Sequence, residues 1–241
     1  MEFGFNLPTP STYFPLREAL RGARRFLSRP SKQKLPIFPS LLMSLIGGTE
    51  WGSPMRCLYL TLWFTLSRLA SLIPTTHGAT FDPRAHLSWS NVHFEPAGVR
   101  IILEKTKTIQ CFERKLQFLV PTHQNQSICL RTQLLHLYAA SPFKSPQDPV
   151  FIFPAPIPVP LTRSIVDPQF KASLAAAGLN PALYGWSSFC RGGATSGFIP
   201  AKDVESLREH GDWKSNAYAR YLALPASQRA HLVRALQNMI M

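Results

Sequence analysis

The chain has 241 residues, enough for one large domain or one domain plus a fragment. Apolar residues make up 45% of it, which excludes global disorder and allows a packed core. Lysine and arginine number 26 against 13 acids, a formal charge of +13. That excess favours a polyanionic partner, nucleic acid first and an anionic membrane surface second.

In chain order, "MEFGFNLPTP" has no basic start followed by an apolar run, so no export signal is expected there. Residues 17–34, "REALRGARRFLSRPSKQK", hold seven basic residues and one acid. Arg17, Arg21, Arg24 and Arg25 recur at three- and four-residue steps, which puts them near one side of a helix. A run of one sign points to phosphate contact more than to a merely solvated face. Pro30 and Pro36 end this helix and open a linker. Residues 37–46 give a short apolar helix, and "GGTEWGSP" breaks it.

The stretch 57–73, "CLYLTLWFTLSRLASLI", is 17 residues of nearly continuous apolar sequence. That is the lower limit for crossing a bilayer, and Arg68 inside it would be costly in lipid. A fully buried helix of a globular domain is the expectation, with no membrane partner. Arg68 would then be largely enclosed, and from Met55 to Ala79 there is no Asp or Glu. Its guanidinium therefore needs a distant acid, backbone carbonyls or a bound phosphate.

Beyond this helix the period changes. "LSWSNVHF" (87–94) alternates like a strand, "EPAG" (95–98) is a turn, and "VRIILEK" (99–105) is a second strand. "KLQFLVP" (115–121) reads as a third, after a polar loop that holds Lys105 and Lys107. A helix over 128–140 carries Leu130, Leu134 and Leu137 on one stripe. Residues 142–162 are proline-rich and irregular. A helix over 164–177 stops at Gly178. Helices over 188–198, 203–210, 214–223 and 226–240 complete the chain, the last with Leu232, Leu236 and Met239 on one face. The class is mainly α with a small antiparallel three-stranded β-sheet, and no internal repeat is visible. The four cysteines, at 57, 111, 129 and 190, have no C-x-x-C spacing. They suggest neither a zinc site nor a redox motif, and are expected as reduced thiols of an intracellular protein.

Two blocks near the C-terminus carry the most information: "YGWSSFCRGGATSGF" (184–198) and "HGDWKSNAYARYL" (210–222). With "LSRLASL" and "EKTKTIQ" upstream, they resemble the tyrosine recombinase (phage integrase) superfamily, in particular its eukaryotic mobile-element branch. Members of that branch show a block like "HSFRRGGAT" followed by "hGDWKSdAYlrYL". The likeness runs from about 15 to 235 and is strongest over 178–222.

This resemblance implies a helical catalytic domain with a small sheet over 36–241. It reads 1–35 as the remnant of a preceding helical core-binding domain and its linker. In the family the two domains clamp duplex DNA. A tyrosine attacks a phosphodiester to form a 3′-phosphotyrosyl link, and a 5′-hydroxyl resolves that link. Two arginines hold the phosphate oxygens, a hairpin lysine is the general acid, and histidines, or a histidine and a tryptophan, complete the pocket. No metal or other cofactor is implied.

Carried over by position, Tyr221 is the nucleophile and Tyr218 its neighbouring decoy. Arg68 is the first arginine, with Ser71 replacing the acid that usually follows it. Lys107 is the hairpin lysine, with Lys105 as a fallback. Asp212 stands where the last pocket histidine or its substitute falls, nine residues before Tyr221, and Trp213 follows it. In the H-x-x-R frame, Ser187 replaces the histidine and Cys190 replaces the second arginine. Arg191 is the neighbour, about 100° further round the helix, and cannot simply stand in. Cys190 as a nucleophile would need a lowered thiol pKa and a base, for which His210 is the nearby candidate.

The implied partner is duplex DNA, contacted by Arg21, Arg24, Arg25, Lys105, Arg191 and Lys214, with self-association on DNA allowed. The implied function is a DNA-binding, recombinase-like protein with impaired catalysis, nuclear if the source is eukaryotic. Two other readings stay open: an active recombinase with an atypical pocket, and an interaction scaffold or decayed mobile-element copy that does not bind DNA.

Overall fold

The computed structural model describes residues 33–222 apart from 155, 202, 214 and 215. The helices expected over 17–30 and 226–240, and the candidate DNA contacts Arg21, Arg24, Arg25 and Lys214, lie outside the described residues. By its internal contacts the chain divides between Gln33 and Lys34.

A strap over 34–38 leads into α1 (Pro39–Gly47), and a proline at its first turn starts that helix at no hydrogen-bond cost. The polar break follows, and Ser53 caps α2 (Pro54–Thr65) by accepting from the Arg56 amide. This helix is apolar nearly all round because it is the central pillar: Cys57, Leu58, Tyr59, Leu60 and Leu62 have no exposed surface. Thr61 and Thr65 send their hydroxyls back to the carbonyls of Cys57 and Thr61, at 2.7 Å each, which lets polar residues sit in a dry helix.

The helix is shorter than its apolar run suggested. It stops at Thr65, and Leu66 takes a left-handed conformation with φ of 52°. Arg68 therefore lies in extended backbone (φ −88°, ψ 147°) ahead of a short 3-10 turn over Leu69–Ser71. It is half-buried at a cavity rim, not enclosed in a helix. The arginine that is deeply buried is Arg56, 5% exposed. Its Nη2 donates to the carbonyls of Ile46 and Thr49, both at 2.6 Å. Backbone carbonyls are thus the answer to a buried guanidinium on this helix, and burial lowers the Arg56 pKa.

The sheet is an antiparallel meander: β1 (Val92–Glu95), β2 (Gly98–Leu103) and β3 (Leu116–Pro121), with β2 central. Val92 faces Ile101 in one ladder, and Ile101 faces Phe118 in the other. The first strand begins later than the alternation over 87–94 suggested. The amides of Trp89 and Ser90 bond instead to the carbonyls of Asp148 and Pro146. That tie turns 89–91 into a 3-10 segment. α3 (Leu130–Ala140) packs on both α2 and the sheet through Leu130, Leu134 and Leu137. The proline-rich stretch is not wholly irregular: β4 (Ile152–Phe153) pairs with β5 (Val159–Pro160). α4 (Arg163–Ala176), α5 (Ser187–Ala201) and α6 (Val204–His210) follow. The expected helix over 214–223 is a 3-10 turn, Asn216–Arg220. The result is mainly α with one small three-stranded antiparallel sheet. Among the described residues, no helix is long and apolar enough to cross a membrane.

α5 is fixed from three sides. The Ile37 amide donates to the Ser188 carbonyl at 2.9 Å, and Trp63 of α2 donates its indole N–H to the Ile37 carbonyl at 3.0 Å. Phe189 stacks on Tyr59 with centroids 5.1 Å apart, inside a cluster that includes Trp186 and Phe170. A Cβ on Gly192 would lie 1.7 Å from the Ile37 carbonyl oxygen, so glycine is what allows strap and helix to touch.

Candidate active site

A cavity of about 180 Å³ opens where the C-terminal end of α2, the sheet, α5 and the 211–221 segment converge. Arg68, Ser187, Cys190, Asp212, Trp213 and Tyr221 all line it. The Arg68 Nη2 lies 3.5 Å from the Tyr221 hydroxyl, across 153 residues of sequence. The left-handed Leu66 explains how this is reached. It breaks α2 two residues before Arg68 and lets the chain carry Arg68 outward, toward Tyr221, rather than round another helical turn.

The GDW segment is built as a unit. A Cβ at Gly211 would lie 2.4 Å from the Trp213 ring, so only glycine lets the indole fold back over the turn. Asp212 has φ of 51°, a conformation that aspartate tolerates better than bulky residues. Trp213 stacks on Tyr221 with centroids 5.1 Å apart and 21° between planes. The Tyr221 amide donates to the Tyr218 carbonyl at 2.8 Å, closing the 3-10 turn that presents it. Tyr218 packs against the apolar cluster beneath and does not line the cavity.

Asp212 is spoken for. Its carboxylate accepts from the Thr108 hydroxyl and from the Arg114 guanidinium, both in the loop and strand start beyond β2. Sequence reasoning did not single out Thr108 or Arg114; they sit 104 and 98 residues from Asp212, with no motif that links them. Cys190 is 4% exposed, and burial pushes its thiol up to about 12 despite the nearby Arg68 and Arg191 charges. A thiol at that value is protonated at neutral pH and is no nucleophile. The base considered for it is occupied too: His210 Nε2 lies 2.8 Å from the Phe64 carbonyl, and its ring packs on Phe118.

Lys107 is not with the others. It is exposed and faces a neighbouring cavity together with Lys105, while Thr106 and Thr108 on either side of it face the Tyr221 cavity. Arg191 does not line the Tyr221 cavity either. It is half-buried, burial lowers its pKa, and the charges it feels include Cys190 and the Tyr221 phenol. Among the described residues no cluster of His, Cys, Asp and Glu could hold a metal ion.

This architecture is the fold of tyrosine recombinase catalytic domains. The XerH site-specific recombinase, in a pre-cleavage complex with its difH substrate, matches with a TM-score of 0.54 at 14% identity, over 96% of this chain and 66% of that one. The Tn1549 transposon integrase bound to circular-intermediate DNA matches in two complexes with a TM-score of 0.53. In one the identity is 12%, over 91% of this chain and 76% of the other; in the second it is 13%, over 90% and 75%. The chain thus spans just under two thirds of the length of the XerH chain. No protein-family model and no curated sequence matches.

Proposed function

We propose that this protein is a DNA-binding, tyrosine-recombinase-like protein whose strand-cleavage pocket is impaired. The observation that carries the reading is Arg68 at 3.5 Å from the Tyr221 hydroxyl, in a cavity whose α5 wall presents Ser187 and Cys190. An arginine beside a tyrosine hydroxyl is the pairing needed to orient a phosphodiester for attack by that hydroxyl. The +13 charge supplies the long-range attraction to a polyanion. The solved structures of similar fold are DNA complexes, which points the same way. Expression in a nucleus and descent from a mobile element belong to the same reading, by resemblance of the sequence blocks.

Impairment follows from side-chain chemistry. A second guanidinium at 190 would share the charge that builds on the non-bridging oxygens; a buried neutral thiol cannot. A serine at 187 transfers no proton near neutral pH. Asp212 brings a negative charge to the rim, offset by Arg114. The exposed position of Lys107 agrees with a weak proton donor for the leaving oxygen. Loss of one charge-stabilising donor alone costs about 10²–10³ in rate. The pocket as a whole should be slower by roughly 10³ or more, about 4 kcal/mol.

The test is a suicide-substrate assay on nicked duplex DNA. The natural protein should form no covalent adduct, or form it very slowly. The double variant Ser187→His, Cys190→Arg should form one, which Tyr221→Phe abolishes and Tyr218→Phe spares. Rapid adduct formation by the natural protein would favour an active enzyme with an atypical pocket. Absence of any salt-sensitive duplex binding would leave a scaffold or a decayed copy.

A further inference from the structure

We propose that the cavity beside the Tyr221 pocket is a second phosphodiester site, which holds the DNA backbone phosphate next to the one gripped at Arg68. The inference rests on the DNA-binding reading above and deepens it. The second cavity has a volume of about 400 Å³ and shares Arg68, Ser71 and Thr106 with the first, so the two adjoin. Its cations are Arg68, Lys105 and Lys107, and among the described residues no carboxylate lines it. Three positive charges around a cavity without an acid are the electrostatics of an anion site.

Of the acids beside the cavity, Glu104 is paired with a lysine, while Asp82 accepts from a backbone amide and keeps its charge next to His86. Glu104 pairs with Lys115 at 2.7 Å, leaving Lys105 and Lys107 without that partner. Asp82 turns one carboxylate oxygen to the Arg84 amide at 2.9 Å. The Asp82 amide donates to His86 Nδ1 at 3.0 Å, so the neutral imidazole of His86 carries its proton on Nε2 and is a donor. Burial, and then the Lys105 charge, keep His86 in that neutral form, against the pull of Asp82. The hydroxyls of Thr75 and Thr76 add donors at the same wall.

Lys105, which lines the cavity, has its ammonium 5.9 Å from the Phe112 ring centroid, and the Arg84 guanidinium lies 4.5 Å from the same ring. The cation–π contact restrains the Lys105 side chain. Phe112 itself has φ of 57°, a strained conformation for a bulky residue. Lys107 is thereby assigned to a neighbouring phosphate, which accounts for its place outside the Tyr221 pocket. DNA is the favoured source of the phosphate because the cavity is open, and because it adjoins the pocket where a phosphodiester would already be held.

The test compares the salt dependence of duplex binding for the whole protein and two variants. Lys105→Gln, Lys107→Gln removes the charge. Ala79→Leu fills the cavity wall and leaves every charge in place. Each neutralised phosphate contributes about 0.9 to the slope of log affinity against log salt. Both variants should lose about 0.9 of slope and bind more weakly, with thermal unfolding like that of the natural protein. A slope lost only in the lysine variant would mean that the lysines meet DNA outside the cavity, and would overturn the proposal. Unchanged slopes in both, with duplex still bound, would also overturn it while leaving the DNA-binding reading intact. Failure of the natural protein to bind duplex at all would remove both.

Discussion

At Cys190 the same burial that raises the thiol to about 12 decides what the side chain can do. It packs in a small apolar cluster with Leu66, Ala194, Leu207 and Trp213, which forms the floor under Tyr221. The residue is therefore part of the packing, not of the chemistry. Iodoacetamide at pH 8 should label exposed Cys111 in the folded protein and leave Cys190 unmodified until denaturant is added, as peptide mass spectrometry would show. Fast labelling of native Cys190 would mean that the pocket opens and that its thiol titrates normally. Asp212 has a comparable double character. Its charge is poorly placed for a phosphate, yet Thr108 and Arg114 make it a tie between the 211–221 segment and the strand region. An Asp212→His change removes that tie.

Two glycines of one element, α5, separate structural from incidental use of that residue. Gly192 is where the helix meets the Ile37 carbonyl, and a methyl group there would lie 1.7 Å from the oxygen. Gly197 has nothing within 4 Å of the same position. Gly192→Ala should destabilise by about 1–3 kcal/mol or more, because backbone must move against backbone. Gly197→Ala should instead stabilise by roughly 0.5–1 kcal/mol, the usual gain inside a helix. Urea midpoints for the two variants, one on each side of the natural protein, are the check. A Gly192→Ala protein as stable as the natural one would show that strap and helix are not held as described. Gly193 of the same helix is also tightly placed: a Cβ there would lie 2.4 Å from the Trp63 carbonyl oxygen and 2.6 Å from the Leu66 side chain.

Across the whole molecule, stability should decline on acidification in two stages. The folded pKa of His86 is lowered, chiefly by burial. The unfolded chain therefore binds the extra proton first, and this contribution is present above the ordinary histidine value, about 6.5, and lost as pH falls through the lower folded value. Glu95 is lowered by its hydrogen bond from Arg100, and Asp203 by its cap on Ser206. Their contributions persist above the ordinary carboxylate range and are lost as pH falls below it. Melting temperature followed by circular dichroism should drop between pH 7 and 5 and again below 4.5, at constant salt. His86→Gln should flatten the first step alone. A wild-type melting temperature that stays level from pH 7 to 5 would contradict the burial of His86. The excess of 13 positive charges at pH 7 grows as histidines and carboxylates take up protons, and acts in the same direction, as self-repulsion.

The sequence by itself determined the elements whose signal is local. Apolar spacing marked Leu130, Leu134 and Leu137 as one buried stripe, and alternation with a turn at 95–98 marked the β1–β2 hairpin. The blocks around 187–193 and 211–221 stood out through their resemblance to recombinase motifs. What only the tertiary structure decided were features set by partners far along the chain. α2 ends at Thr65, not 73, and the left-handed Leu66 beyond it lets Arg68 reach the cavity rim beside Tyr221. Residues 89–91 leave the expected strand because the amides of Trp89 and Ser90 find carbonyls at 148 and 146. Arg56, not Arg68, is the enclosed guanidinium, and its Nη2 donates to carbonyls of the α1–α2 turn. Thr108 and Arg114 were invisible as partners of Asp212, since a pair of side chains about a hundred residues apart leaves no periodic trace. Periodicity reports which face of an element is buried; it carries no information on which remote atom a polar group will meet.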